Sequence, residues 1–140
     1  MKKLIIILLL FLANSTFAQK EDKPFVGFFC GEELSYPEIA TKYESLIKTK
    51  KYNRILKGLY SKNIAENFFS VIVAEKLESV NKIALSEKDK EVILEIKNSN
   101  ITLEVCEGCI YSEKTLKEAF GILERAAEVW FNNISKKNGL

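Results

Sequence analysis

The chain has 140 residues, with 21 basic and 19 acidic side chains, and it contains no histidine. The absence of histidine excludes Ser-His-Asp and Cys-His catalysis, as well as zinc sites that require this ligand. Lys2 and Lys3 carry the whole formal excess of positive charge. The rest of the chain is neutral, so we expect no binding of nucleic acid, whose protein partners are usually strongly basic.

The first eighteen residues have the pattern of a secretory signal peptide. Met1–Lys3 is positively charged, Leu4–Leu12 is an unbroken apolar run, and Thr16–Ala18 offers small residues to signal peptidase. The apolar run is shorter than the about 20 residues of a transmembrane helix. We therefore predict cleavage before Gln19, a single domain over residues 19–140, a periplasmic or secreted location, and no stable membrane anchor after cleavage.

One extended segment and two helices are predicted next along the chain. Phe25–Cys30 is apolar and aromatic, which is typical of a strand or a buried extended arm. Ser35 and Glu38 have the spacing of a capping box and predict the start of a helix. A lysine-rich break separates this helix from a second, shorter one. The apolar residues at helical spacing are Ile39, Tyr43, Leu46 and Ile47 in the first helix, and Tyr52, Ile55, Leu56 and Leu59 in the second.

The segment Ile64–Val80 is the most strongly predicted helix. Apolar residues cover nearly its whole circumference in the middle. A helix of this kind is normally covered on several sides, so we place it at the centre of the fold. Another helix is predicted to begin at Ser86–Asp89, with Val92, Ile93 and Ile96 facing inward.

The C-terminal part predicts one short strand and one long helix. In Ile101–Cys106, apolar residues alternate with others at period two, which indicates a strand. Ser112 is expected to cap the last helix. Its apolar stripe comprises Leu116, Phe120, Leu123, Ala127, Trp130 and Ile134. Together the elements predict a small, mainly α-helical domain of about five helices, with two short extended segments joined by a disulfide.

Residues 51–98 resemble the helical hairpins of the HEAT and armadillo families. The residues that carry the resemblance are Ile55, Leu56, Leu59, Asn63, Ala65, Val73, Ala74, Leu77, Val92 and Ile93. At most one and a half repeat units are present, and an ordinary irregular helical domain fits the same residues. The resemblance implies a binding scaffold, and therefore a partner rather than a reaction.

The three cysteines, Cys30, Cys106 and Cys109, carry the most distinctive chemistry of the sequence. Export would place them where disulfides form, and an odd number leaves one thiol over. A bond from Cys30 to Cys106 or Cys109 closes a long loop and would contribute roughly 4–5 kcal/mol, against about 2 kcal/mol for a Cys106–Cys109 bond. A structural disulfide is therefore expected to join Cys30 to Cys106 or to Cys109.

The order of extended segment, CxxC and helix around Cys106 and Cys109 resembles thioredoxin-type proteins. The resemblance implies a thiol–disulfide oxidoreductase with Cys106 as the attacking thiol and Cys109 as the resolving thiol. Val105 and Gly108 stand where that family usually has Trp and Pro. The helix predicted from Ser112 also begins too late for its dipole to lower the pKa of the first thiol.

Three further groups allow a functional interpretation, although a structural one is favoured for each. A basic cluster could bind an acidic partner or a membrane surface, but it also suits a solvated face; it consists of Lys48, Lys50, Lys51, Arg54, Lys57 and Lys62. Glu32 and Glu33 could act in acid–base catalysis, although no partner carboxylate is evident. Tyr111, Trp130 and Phe131 could line a ligand groove, but aromatic residues at helical spacing usually belong to a core.

We therefore expect a non-catalytic exported binding protein, inhibitor-like or immunity-like in kind. Its expected partner is another protein or a small ligand of the cell envelope. No cofactor and no metal are expected. The alternative is the oxidoreductase that uses Cys106 and Cys109.

Overall fold

The structure, a computed structural model, describes residues 24–31 and 36–140. The predicted signal peptide and residues 32–35, which include the Glu32–Glu33 pair and Ser35, lie outside the described residues. The elements are β1 (Phe25–Phe28), α1 (Glu38–Lys48), α2 (Tyr52–Gly58), α3 (Ile64–Ser79), α4 (Glu87–Lys97), β2 (Thr102–Glu107), β3 (Ile110–Thr115) and α5 (Leu116–Asn138). The prediction of a mainly helical fold is roughly supported, but the three strands form a sheet that makes the fold a mixture of α and β.

The sheet has the strand order β1-β2-β3. β1 runs parallel to β2, with Val26 in register with Val105, and β3 returns antiparallel to β2. Helices α1 to α4 connect β1 to β2, since parallel strands require a long crossover. Val26, Leu103 and Val105 are buried on the face that packs against the helices. Alternation along the strands places Phe25, Gly27 and Cys106 on the opposite face, here called the outer face of the sheet.

Helix α3 lies at the centre of the molecule, in agreement with its apolar circumference. The Asn63 side chain caps its first turn by accepting hydrogen bonds from the Ala65 and Glu66 amides. The middle of the helix is buried on all sides, and α1, α2, α4, α5 and β1 all pack against it. Within the segment that resembles HEAT repeats, α3 therefore also contacts α1, α5 and β1, which lie outside that segment, whereas the units of an open repeat array contact only their neighbours.

Aromatic rings fill the space between α3, α5 and the sheet. The Phe69 ring lies 5.3 Å from that of Phe28, 5.6 Å from those of Tyr43 and Phe68, and 5.8 Å from that of Trp130, centroid to centroid. Such tilted and edge-to-face pairs stabilise a core beyond the area that they bury.

The predicted cap of the last helix is wrong. Ser112 lies in β3, and α5 begins at Leu116 after Thr115. The Thr115 hydroxyl accepts from the Glu118 amide at 3.2 Å, while the Glu118 carboxylate accepts from the Thr115 amide at 2.8 Å. This capping box satisfies the amides of the first turn, and pairing with β2 keeps the preceding residues extended. The helix predicted to begin at Ser86–Asp89 is present as α4, and its first turn is closed by a capping box between Ser86 and Asp89.

Candidate functional site at the β2–β3 hairpin

The disulfide joins Cys30 to Cys106, one of the two pairings left open by the sequence. Cys30 follows β1 and Cys106 lies within β2, with their Cα atoms 5.8 Å apart. The bond crosses the outer face of the sheet above Gly27, which is in register with Cys106. A Cβ atom at Gly27 would come within 2.8 Å of the Cys30 sulfur and within 2.7 Å of the Cys106 carbonyl oxygen. Only glycine leaves room for the cross-link at this position.

Gly108 and Cys109 form the two-residue turn of the β2–β3 hairpin. Gly108 has a φ of +62°, a conformation that glycine adopts without strain, at the first position of the turn. The Gly31 amide donates a hydrogen bond to the Gly108 carbonyl at 3.1 Å. The exposed Cys109 thiol carries no disulfide and lies 3.7 Å from the Gly31 carbonyl oxygen. Gly31 therefore holds the turn in place.

The hairpin tip, defined as residues Glu107–Tyr111, presents apolar side chains to solvent. Ile110 is 69 % exposed and Tyr111 is 51 % exposed. The Tyr111 ring stacks on that of Phe25, with centroids 5.8 Å apart and planes inclined by 25°. This contact orients Tyr111 over the outer face, while Ile110 projects from the end of the hairpin without such cover.

Exposed Ile110 is the residue that the sequence interpretation missed. The signal was available, because a glycine-containing pair between two strand-like runs predicts a tight hairpin. The hairpin was missed because residues 106–109 were interpreted as a CxxC motif followed by a helix. Of the three aromatic candidates, only Tyr111 is exposed, since Trp130 and Phe131 are buried in the core.

The three cysteines form one disulfide and leave one exposed thiol. Cys106 is fully buried and bonded to Cys30, so Cys106 and Cys109 do not form a dithiol pair. The helix that follows begins at Leu116, seven residues beyond Cys109. The dipole of a helix acts only near its first turn, and neither cysteine lies in the first turn of α5.

All six members of the basic cluster are exposed near the end of α1 and along or after α2. Arg54 and Lys57 line a shallow cleft of about 350 Å³, together with Lys42 and Glu66. Glu66 forms an ion pair with Lys42 and accepts a hydrogen bond from the Ser61 hydroxyl at 2.5 Å. These hydrogen bonds, that from Lys42 above all, lower the pKa of the Glu66 carboxyl. The carboxylate thus offsets part of the positive charge of the cleft.

Tyr43, which lines the same cleft, has a pKa that is changed mainly by its burial. Its hydroxyl group lies 2.5 Å from the Ser70 hydroxyl and donates to the Glu66 carbonyl at 2.9 Å. Desolvation raises the pKa of Tyr43 to about 12. Tyr43 therefore remains protonated at neutral pH and acts as a structural hydrogen-bond donor.

A second groove, of about 530 Å³, runs between α3, α4 and α5. Phe120 lies in it, and Lys97 crosses it to form an ion pair with Glu75 at 2.9 Å. Exposed ion pairs of this kind contribute little stability, and the groove combines both signs of charge without a dominant chemistry.

Within residues 24–31 and 36–140, no group of three or more Cys, Asp or Glu side chains is placed to hold a metal ion. In the same part of the chain, no helix has the length and apolar character needed to cross a membrane. The disulfide is compatible with a periplasmic or extracellular location. In comparisons with known proteins, no family model, no curated sequence and no solved structure matches the chain.

Proposed function

We propose that this protein is a non-catalytic exported binding protein that contacts another protein through the hairpin tip. The observation that carries the proposal is the 69 % exposure of Ile110 at the end of a hairpin that the disulfide holds beside its tip and the Gly31 amide holds at its turn. Scattered exposed apolar residues are common on protein surfaces. Here the exposed residue belongs to a structured tip and lies next to the half-exposed Tyr111.

Rigidity is the second support for the proposal. The Cys30–Cys106 bond fixes β2 to the residue range 25–30, which contains β1, and the Gly31 amide fixes the turn. A surface that is ordered before binding loses less conformational entropy on association. Apolar and aromatic side chains on such a surface are typical interface anchors. This combination suits an inhibitor-like or immunity-like protein.

The oxidoreductase remains the rival proposal. It requires Cys106 as an accessible attacking thiol and Cys109 as its resolving partner. The bond between Cys106 and Cys30 and the complete burial of Cys106 favour the binding proposal over this rival.

The test compares two exposed apolar residues in different regions. Ile110→Asp alters the hairpin tip, and Leu94→Asp is the matched control, because Leu94 is 63 % exposed on α4. Wild type and both variants are immobilised with their disulfide intact and incubated with envelope and secreted fractions of the source cells. Bound proteins are quantified by mass spectrometry. We expect a partner that wild type and Leu94→Asp retain equally and that Ile110→Asp retains about tenfold less, the loss expected for removal of an interface anchor.

Equal retention by Ile110→Asp and Leu94→Asp would contradict a partner at the hairpin tip. Urea unfolding of each variant excludes a loss of binding caused by a loss of folding. Catalysed reduction of insulin by wild type, abolished in Cys106→Ser, would replace the binding proposal with the oxidoreductase.

A further inference from the structure

We propose that Cys30, Cys106 and Cys109 form one thiol–disulfide exchange site. In this site the Cys109 thiolate attacks the Cys30 sulfur and moves the disulfide from Cys30–Cys106 to Cys30–Cys109. The proposal depends on the arrangement of the three sulfurs and is independent of the binding function proposed above. It also assigns the nucleophile differently from the CxxC interpretation, in which Cys106 attacks.

The contacts of the turn bring Cys109 close to Cys30. The Cys109 sulfur lies 3.7 Å from the carbonyl oxygen of Gly31, the residue that follows Cys30. The Gly31 amide in turn donates to the carbonyl of Gly108, the residue that precedes Cys109, at 3.1 Å. Gly31 therefore contacts both residues of the turn and keeps Cys109 beside the residue that follows Cys30. Cα separations of about 4.4–6.8 Å allow a disulfide, so the turn offers Cys30 a second partner with little movement of the backbone.

The exchange conserves atoms and electrons without an added oxidant. The Cys109 thiol releases its proton to solvent, and the resulting thiolate forms a bond to the Cys30 sulfur. The Cys30–Cys106 bond breaks as the new bond forms. The Cys106 sulfur leaves with the electron pair and then takes up a proton. One disulfide and one thiol are present before and after the reaction.

Loop length and burial determine which sulfur is attacked and which state is favoured. Cys30–Cys106 spans 76 residues of sequence, and a Cys30–Cys109 bond would close a loop of nearly the same length. Attack on Cys106 would instead leave a Cys106–Cys109 bond with a tiny loop and a smaller constraint on the unfolded chain. Cys106 is fully buried, which disfavours its departure as a thiolate. We therefore expect Cys30–Cys106 to predominate and the exchange to be slow.

The exchange would change the hairpin. In the Cys30–Cys109 form, Cys30 is bonded to the turn rather than to β2, and Cys106 becomes a buried thiol. Buried cysteine is well tolerated as a small apolar residue. The cross-link would thus move toward the exposed end of the sheet without loss of the long covalent loop.

The experiment follows the disulfide of the wild-type mature chain over time. The protein is held at pH 8 without added thiol or disulfide, and samples are quenched with acid, alkylated and mapped as unreduced peptides. We expect the Cys30–Cys109 peptide, with alkylated Cys106, to rise from zero to a constant minor fraction. The rate should not depend on protein concentration, because the reaction is intramolecular.

Two variants test the same proposal from both sides. Cys106→Ser should form the Cys30–Cys109 bond on mild oxidation with oxidised glutathione. Cys109→Ser should retain the Cys30–Cys106 bond and show no exchange. Persistence of Cys30–Cys106 alone in wild type would overturn the proposal. So would a Cys106–Cys109 product, or exchange whose rate increases with protein concentration.

Discussion

The helical core around α3 and the three-stranded sheet are stabilised in different ways. α3 is covered on all sides, and its Phe69 is completely buried among four other rings. The sheet packs only one face against the helices. On its outer face, the half-buried Phe25 and the half-exposed Tyr111 stack beside a disulfide.

The comparison indicates why the cross-link lies in the sheet. A small sheet with one packed face has limited apolar area with which to hold its strands together. A covalent bond between residues 76 positions apart constrains the unfolded chain instead. The core therefore depends on side-chain packing, whereas the position of β1 depends partly on a single covalent bond.

Removal of the disulfide is expected to have the largest effect. In a Cys109→Ser background, which prevents alternative pairing, replacing both Cys30 and Cys106 with Ser should lower the free energy of unfolding by roughly 4–5 kcal/mol. Urea unfolding of this variant and of Cys109→Ser measures the difference. A loss below about 1 kcal/mol would show that packing alone holds β1 in place and would remove the contrast between the two regions.

Replacing a phenylalanine with alanine should cost more stability in the core around α3 than on the outer face of the sheet. Phe69→Ala removes a fully buried ring and should cost about 3–5 kcal/mol, since a cavity remains between α3 and the sheet. Phe25→Ala removes a half-buried ring from the outer face and should cost only about 1 kcal/mol. Chemical denaturation of the two disulfide-intact variants tests the order. Equal losses would mean that the outer face contributes as much to stability as the core.

Two glycines with opposite surroundings should respond to alanine with opposite signs, and the effect at Gly121 is the smallest expected. Gly27→Ala places a methyl group against Cys30 and Cys106 and should cost about 1–3 kcal/mol, because neither the disulfide nor the backbone can move aside easily. Gly121→Ala, in α5, meets no atom within 4 Å and should stabilise the helix by about 0.5–1 kcal/mol. Thermal unfolding measures both shifts. Stabilisation by Gly27→Ala would contradict the close approach of the cross-link to β1.

Local patterns predicted the helices well, because a helix is built from contacts between residues three or four positions apart. The apolar circumference of α3 and the start of α4 near Ser86 are examples. The same kind of signal failed at Ser112, a plausible cap that lies in a strand. Thr115 and Glu118, three residues further on, provide the capping box that forms instead.

The candidate site was predicted only in part. The sequence singled out the three cysteines and Tyr111 but missed Ile110. Exposure depends on what surrounds a side chain in three dimensions. The positions of Ile110 and Trp130 in the sequence do not show that the first is exposed and the second is buried. The turn at Gly108 could have been recognised, since glycine at the first position of a two-residue hairpin loop is a local signal.

The sequence by itself determined most of the helices, the centrality of α3 and the preference for a disulfide from Cys30 to one of two distant cysteines. Only the tertiary structure decided that Cys106 is the partner and that β1 pairs in parallel with β2. The physical reason is the distance along the chain. Helical periodicity is visible within a few residues, whereas strand register and disulfide choice depend on how segments more than seventy residues apart meet across one core.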